Sequence, residues 1–172
     1  KALATLNNLQ WTPASYFTLL LSHRYYDKRY QALFGNAFRQ GSTVQNEQGF
    51  YMGLQFTPLP YWKVALYGDW FRFPWLKYGV DAPSSGVEYM AEVDYTPNAV
   101  FSTYLRYKYR EKEKNQTAKE DNLTTLVPYQ QHRLRYQLVF RPGDWVLKTA
   151  VDGVIYQELN QADSKGYQCS QS

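Results

Sequence analysis

The feature that most restricts this chain is strict two-residue alternation, sustained over arms of about ten residues. Between Val87 and Tyr95, Val87, Tyr89, Ala91, Val93 and Tyr95 share one face, while Glu88, Met90, Glu92 and Asp94 share the other. Beyond a corner at Pro97, Phe101, Thr103, Leu105, Tyr107 and Tyr109 alternate with Ser102, Tyr104, Arg106, Lys108 and Arg110. A helix would scatter Arg106, Lys108 and Arg110 around its circumference, whereas a strand puts all three on one side. Two such arms joined by a proline corner predict a long antiparallel hairpin.

The same pattern recurs along the chain. Phe50, Met52, Leu54 and Phe56 oppose Tyr51, Gly53 and Gln55; Leu134, Tyr136, Leu138 and Phe140 oppose Arg133, Arg135 and Gln137. Arms starting at Phe17, Trp62 and Leu147 behave likewise, and the first arm is the weakest because Asn7 falls in line with Leu3, Leu9 and Trp11. The corner is also repeated, as "LQWTPAS", "LQFTPLPYW", "VDYTPNAV" and "LVFRPGDW", with prolines 13, 58, 97 and 142 spaced 45, 39 and 45 residues apart. A fixed period of this size marks a repeated supersecondary unit. About eight strands in four hairpins are therefore expected, as an up-and-down antiparallel meander. The opposite ends carry longer polar connections, roughly 28–46, 74–86, 111–128 and 160–166.

Two settings suit such strands: a soluble sandwich or lipocalin-like barrel with its apolar face inward, or an outer-membrane barrel with that face outward. No window approaches the roughly 20 apolar residues of a spanning helix, which excludes a helical membrane protein but not a barrel. Aromatics, 18% of the 172 residues, are sorted by height. Trp11, Phe17, Phe56, Trp62, Tyr95, Phe101, Phe140 and Trp145 lie near the corners, as one girdle. Tyr25, Phe50, Trp70, Tyr89, Tyr107 and Tyr109 lie at the far ends, with aliphatic residues between. Phe101 to Tyr109 spans about 27 Å of strand, or roughly 20 Å of height at a tilt of about 40°, close to a ~25 Å apolar band between aromatic girdles. Short turns at one end and long loops at the other have the asymmetry of outer-membrane barrels. The expectation is one transmembrane β-barrel segment over 1–172, in the outer membrane of a Gram-negative bacterium, part of a larger barrel.

The opposite face carries both signs. Arg24, Lys63, Asp69, Glu88, Glu92, Asp94, Arg106, Lys108, Arg133, Arg135, Lys148 and Asp152 are expected to line a wet lumen and pair across strands. Paired carboxylates are conceivable among them, so a barrel-borne hydrolase is the weaker alternative; salt-bridge roles suit the residues better. His23 and His132 have no ligand at zinc spacing, and no phosphate loop or nucleophile elbow occurs. No catalysis and no cofactor are expected. In "RYKYREKEK" the tyrosines and cations fall on opposite faces of a strand, which argues against a nucleic-acid groove. The single Cys169 supplies no disulfide framework.

The connection "ALFGNAFRQGSTVQNEQG" is long and mixes apolar residues with glycine and asparagine. Phe34, Asn36, Phe38 and Arg39 are the candidates there for constricting a pore or contacting a ligand. A self-packed loop, or a soluble module binding through its long loops, is the alternative.

The stretches "HRYYDKRYQALFGNAF", "NEQGFYMGL" and "WFRFPWLKYGVDAPSSGVEYM" resemble a group of Bacteroidetes-type outer-membrane proteins. There a long barrel region follows a short helix-hairpin-helix segment, and the resemblance covers most of His23 to about Tyr109. It implies an outer-membrane barrel with a pore or transport-associated structural role, and it transfers no catalytic residue. The chain opens and closes inside strand-like runs, so a fragment of a longer protein is expected. Its partners would then be lipid and other membrane subunits or chains pairing at free strand edges, with no nucleic acid.

Overall fold

The computed structural model describes residues 1–31, 37–117, 124–158 and 164–171. Nine strands form one sheet in the order of the sequence: β1 (Ala4–Ala14), β2 (Phe17–Tyr26), β3 (Glu47–Phe56), β4 (Trp62–Phe73), β5 (Ser84–Tyr95), β6 (Phe101–Thr117), β7 (Thr124–Phe140), β8 (Leu147–Glu158) and β9 (Ser164–Gln171). Every neighbouring pair is antiparallel, and no helix occurs among the described residues. The four expected hairpins are present.

Two expectations are corrected. The strand count is nine, because the polar run "SKGYQCSQ" pairs with β8 although only Tyr167 and Cys169 mark an alternating face. The sheet is also open: β1 and β9 do not pair, so each keeps one free edge among the described residues. A third difference concerns the connection expected over 111–128. There β6 and β7 run on together, from Glu111↔Gln130 out to Thr117↔Thr124. The β6 half of this extension is polar on both faces, and in the β7 half adjacent Leu126 and Val127 break the period of two, so apolar alternation could not reveal it. Pro128 is tolerated there because β8 begins pairing with β7 only at Tyr129; proline cannot donate to a ladder on that side.

The corners explain their own sequence. Thr57 N donates to Tyr16 O at 2.9 Å, Thr96 N to Tyr61 O at 2.9 Å, and Arg141 N to Val100 O at 2.7 Å. In each case the residue before the proline makes the last rung, to the turn of the preceding hairpin, and the proline then ends the ladder. Pro13 instead sits at the register irregularity between Trp11 and Ala14.

One face of the sheet carries Leu9, Leu19, Leu54, Leu66, Val93, Leu105, Leu134 and Val151, and it is open. Leu9 is 62% exposed, Leu134 51% and Leu105 47%. The opposite, polar face is covered at the long-loop end. There Tyr26, Val44, Phe71, Phe73 and Val80 form a small buried core between the sheet and the two long connections that follow β2 and β4. Asn46 ties these connections together. Its amide donates to Trp75 O (2.7 Å) and Leu76 O (3.2 Å) and accepts from Trp75 N (2.8 Å).

Candidate functional site

The polar face is built around Arg24. Strand alternation in β2 turns Arg24 to this face, opposite Gly49 of β3 and two strands from Asp69 of β4. Its guanidinium lies across Gly49, donating from Nε to Glu47 Oε1 at 2.6 Å, from Nη1 to Asp69 Oδ1 at 2.7 Å and from Nη2 to Asp69 Oδ2 at 3.1 Å. A Cβ on residue 49 would stand only 2.6 and 2.7 Å from Nη2 and Nη1, so glycine is what lets the side chain cross the strand. Arg24, Glu47 and Asp69 are all 0% exposed. Burying an ion costs several kcal/mol unless partners replace its water, and here two carboxylates meet three guanidinium donors in charge-assisted bonds.

The connection after β2 completes the seal. Gln40 N donates to Glu47 Oε1 (2.8 Å), Gly41 N to Oε2 (2.8 Å), and Gln40 Nε2 to Asp69 Oδ2 (2.7 Å). Tyr26 OH donates to Phe38 O at 3.0 Å and Lys112 Nζ to Gln40 O at 3.0 Å. The Phe38 ring sits 4.6 Å from the Arg24 guanidinium and edge-on to Tyr51. Of the loop candidates, Phe38 therefore lies folded against the polar face, beside a half-buried Arg39. Phe34 and Asn36 lie outside the described residues.

The remaining predicted charges share this face, and most are tied into cross-strand groups. Glu88 accepts from Tyr67 OH (2.6 Å) and pairs with Lys108 (2.9 Å) and Arg110. Glu92 pairs with Arg106. Asp152 lies between Arg133 (3.2 Å) and Arg135 (2.8 Å). In register, Arg106 faces Arg135 and Lys108 faces Arg133. Like charges directly opposed destabilise a sheet, and the carboxylates of the flanking strands β5 and β8 offset this. Lys63 and Asp94 are register partners but form no ion pair, and Lys148 forms none either, among the described residues.

Several participants escaped the sequence reading. Glu47 and Gln40 stand in a polar stretch without alternation. Lys112 and Lys114 continue the series Arg106, Lys108, Arg110 on the same face, and simply extending the alternation would have found them. Lys114 Nζ pairs with Glu158 at 2.5 Å. In the loops, burial pushes the Lys77 ammonium down to about 8, with Glu47 and Glu113 pulling the other way. Asp27 is held below the usual carboxylate range by the Arg29 backbone N–H and guanidinium.

Cavities open on this face among the described residues. One of about 600 Å³ runs from β1 to β5 beneath Phe38 and Gln40; another, about 670 Å³, lies at the long-loop end. Among the described residues, no three His, Cys, Asp or Glu side chains converge on a metal position. Asp69, Glu88, Glu92 and Asp152 are each engaged by at least one cation, whereas Asp94 stands beside Glu92 on the same face of β5 with its Oδ2 buried and unpartnered. The geometry offers charged surface and pockets. No family model, curated protein or solved structure matches this chain.

The apolar face has its own order. Near the corners, Trp11 packs edge-on against Phe17 (6.2 Å between centroids), and Tyr95 lies between Trp62 (4.6 Å) and Phe101 (6.4 Å). Phe17 is the register partner of Phe56, and Phe101 of Phe140; Trp145 projects from the turn after β7. Towards the far end the contacts run unbroken from Phe50 through Trp70, Tyr89 and Tyr109 to His132. His132, whose Nδ1 lies 2.8 Å from Tyr107 OH, belongs to this band although the sequence reading left it unassigned.

Proposed function

We propose that this chain is barrel wall in the outer membrane of a Gram-negative bacterium, with a pore or transport-associated structural role and no catalytic chemistry. Its apolar face meets lipid and its polar face meets a water-filled interior. The resemblance of His23 to Tyr109 to Bacteroidetes-type barrels carries the same expectation.

One observation carries the reading: burial is inverted relative to a water-soluble sheet. Arg24, Glu47 and Asp69 are sealed at 0% exposure, while leucines along the other face stand open. In water, an apolar face of this extent is a liability that monomeric proteins avoid. Against hydrocarbon it is the favourable arrangement, and rings at both ends of the strands have the place of interfacial anchors. The free edges of β1 and β9 need partners in such a setting, since each unsatisfied backbone group in lipid costs several kcal/mol. Further strands of the same polypeptide or of neighbouring chains would supply them.

The test is fractionation of the full-length protein followed by gel mobility with and without boiling. Recovery with outer membranes and a heat-modifiable band is expected. A soluble monomer would refute the proposal.

A further inference from the structure

The β6 cations form a ladder: Arg106, Lys108, Arg110, Lys112 and Lys114 occupy every second position of one strand, all towards the polar face. Arg133 and Arg135 of β7 run alongside it. The ladder ends at the 670 Å³ cavity, where Lys112 and Lys114 meet Lys77 from the connection after β4. Lys114 is neutralised by Glu158. Lys112 and Lys77 pair with no carboxylate among the described residues. Lys112 donates to the neutral Gln40 carbonyl and lies 5.3 Å from the Phe71 centroid, and Lys77 rests 3.4 Å above the Phe73 ring. Two half-buried ammoniums thus line one cavity with no carboxylate at pairing distance; Glu113, which lines it too, and Glu47 act on Lys77 from farther off, and burial disfavours its charge.

Two rings line the same cavity, with Lys114 Nζ 5.9 Å from one centroid and 5.5 Å from the other. Tyr129 of β7 and Tyr156 of β8 stack with centroids 5.4 Å apart and 30° between planes, and both line the space. The rings present apolar surface, while the lysines present charged donors that no carboxylate accepts. A ligand that satisfies both needs an anionic end and a ring.

We propose that this cavity binds a ring compound bearing an oxyanion, a sugar acid or sugar phosphate, with the oxyanion between Lys77 and Lys112 and the ring against Tyr129 and Tyr156. Such a ligand brings an oxyanion to pairing distance, where it accepts the short charge-assisted bonds that ammonium groups donate. The inference adds a solute class to the barrel reading, which sets only which side of the wall the cavity faces.

The experiment is titration calorimetry on the purified full-length protein in detergent, with glucuronate, glucose 6-phosphate, glucose and inorganic phosphate as probes. At least one of the two acids is expected to bind about 10-fold or more tightly than glucose. Which acid wins identifies the oxyanion. Lys77→Met should weaken that binding about 10-fold, with Lys77→Arg restoring most of it, and Tyr156→Ala should weaken the acid while leaving inorganic phosphate unchanged. Failure of both acids to bind, glucose binding as well as they do, or an unaffected Lys77→Met variant would each overturn the site. Inorganic phosphate matching glucose 6-phosphate would overturn the role of the rings. Heat-modifiable mobility of each variant shows that it is folded. Because binding is read in detergent and location by fractionation, failure of the site is distinguishable from failure of the barrel reading.

Discussion

Replacing Gly49 with alanine gives the sharpest test of how the polar face is held. The added Cβ would stand 2.6 and 2.7 Å from the two Arg24 Nη atoms, where ordinary contacts between heavy atoms need about 3.5–4 Å. Arg24 must therefore move by the better part of an ångström, yet its bonds to Glu47 (2.6 Å) and Asp69 (2.7 and 3.1 Å) leave no such slack. At least one ion pair is lost while all three groups stay sealed from water. Breaking a buried pair costs about 3–5 kcal/mol, and that is the expected loss for Gly49→Ala. The assay is urea unfolding of the protein in detergent, followed by emission of its five tryptophans. Two controls bind the result to the cause. Gly166→Ala, with nothing within 4 Å of the new Cβ, should change stability by less than about 0.5 kcal/mol. In an Arg24→Met background, Gly49→Ala should cost much less than alone, giving a coupling of about 2–3 kcal/mol. Equal effects in both backgrounds would refute the idea that Gly49 is there for Arg24.

Leu105→Arg places a charge in the middle of the apolar face and should reduce membrane insertion by about 2–4 kcal/mol, read as loss of the heat-modifiable band; unchanged insertion would count against a lipid-facing Leu105. Glu47→Gln weakens the carboxylate that holds Gln40 N, Gly41 N and Arg24. Limited trypsin digestion should then cut faster after Arg39, and an unchanged rate would show that Glu47 does not fasten the loop. Lys77 should titrate near pH 8 by NMR of methylated lysines, against an ordinary value of about 10.5. Since the folded chain gives up this proton first, the group opposes folding while charged. Stability should rise as pH climbs from about 8 towards 10.5; titration at the ordinary value would contradict its burial.

Strands and faces were legible because one side of each arm is apolar, and a period of two cannot be mistaken when Val87, Tyr89, Ala91, Val93 and Tyr95 line up. Legibility ended where that contrast ended. The β6 half of the β6–β7 extension is charged or polar on both sides, so "EKEKNQT" reads as loop although it pairs rung by rung with β7. The centre of the polar face was half visible. Arg24 and Asp69 were placed on the right side, but their meeting across Gly49 depends on register, which no local pattern states. Glu47 was invisible for a different reason: its role is to receive the backbone of residues 40 and 41, and that depends on the path of a connection. The open edges were expected only from the reading of a segment of a larger barrel; no local pattern states them, because closure is a property of two strands far apart in sequence.

The stitched corners have a consequence for growth. Thr57, Thr96 and Arg141 each bond to the turn of the hairpin before, and contacts run chiefly between consecutive strands. Loop closure between neighbours is brief, so each hairpin can dock on a finished one without waiting for distant segments. Hairpins of this kind behave as tiles: one could be duplicated or deleted at the β9 edge while every earlier register stayed as it was. The β3–β4 tile is the exception. It carries Glu47, Gly49 and Asp69, and its loss would leave Arg24 sealed with no counter-charge. Change in the number of strands should therefore accumulate at the late end of this wall and spare its beginning.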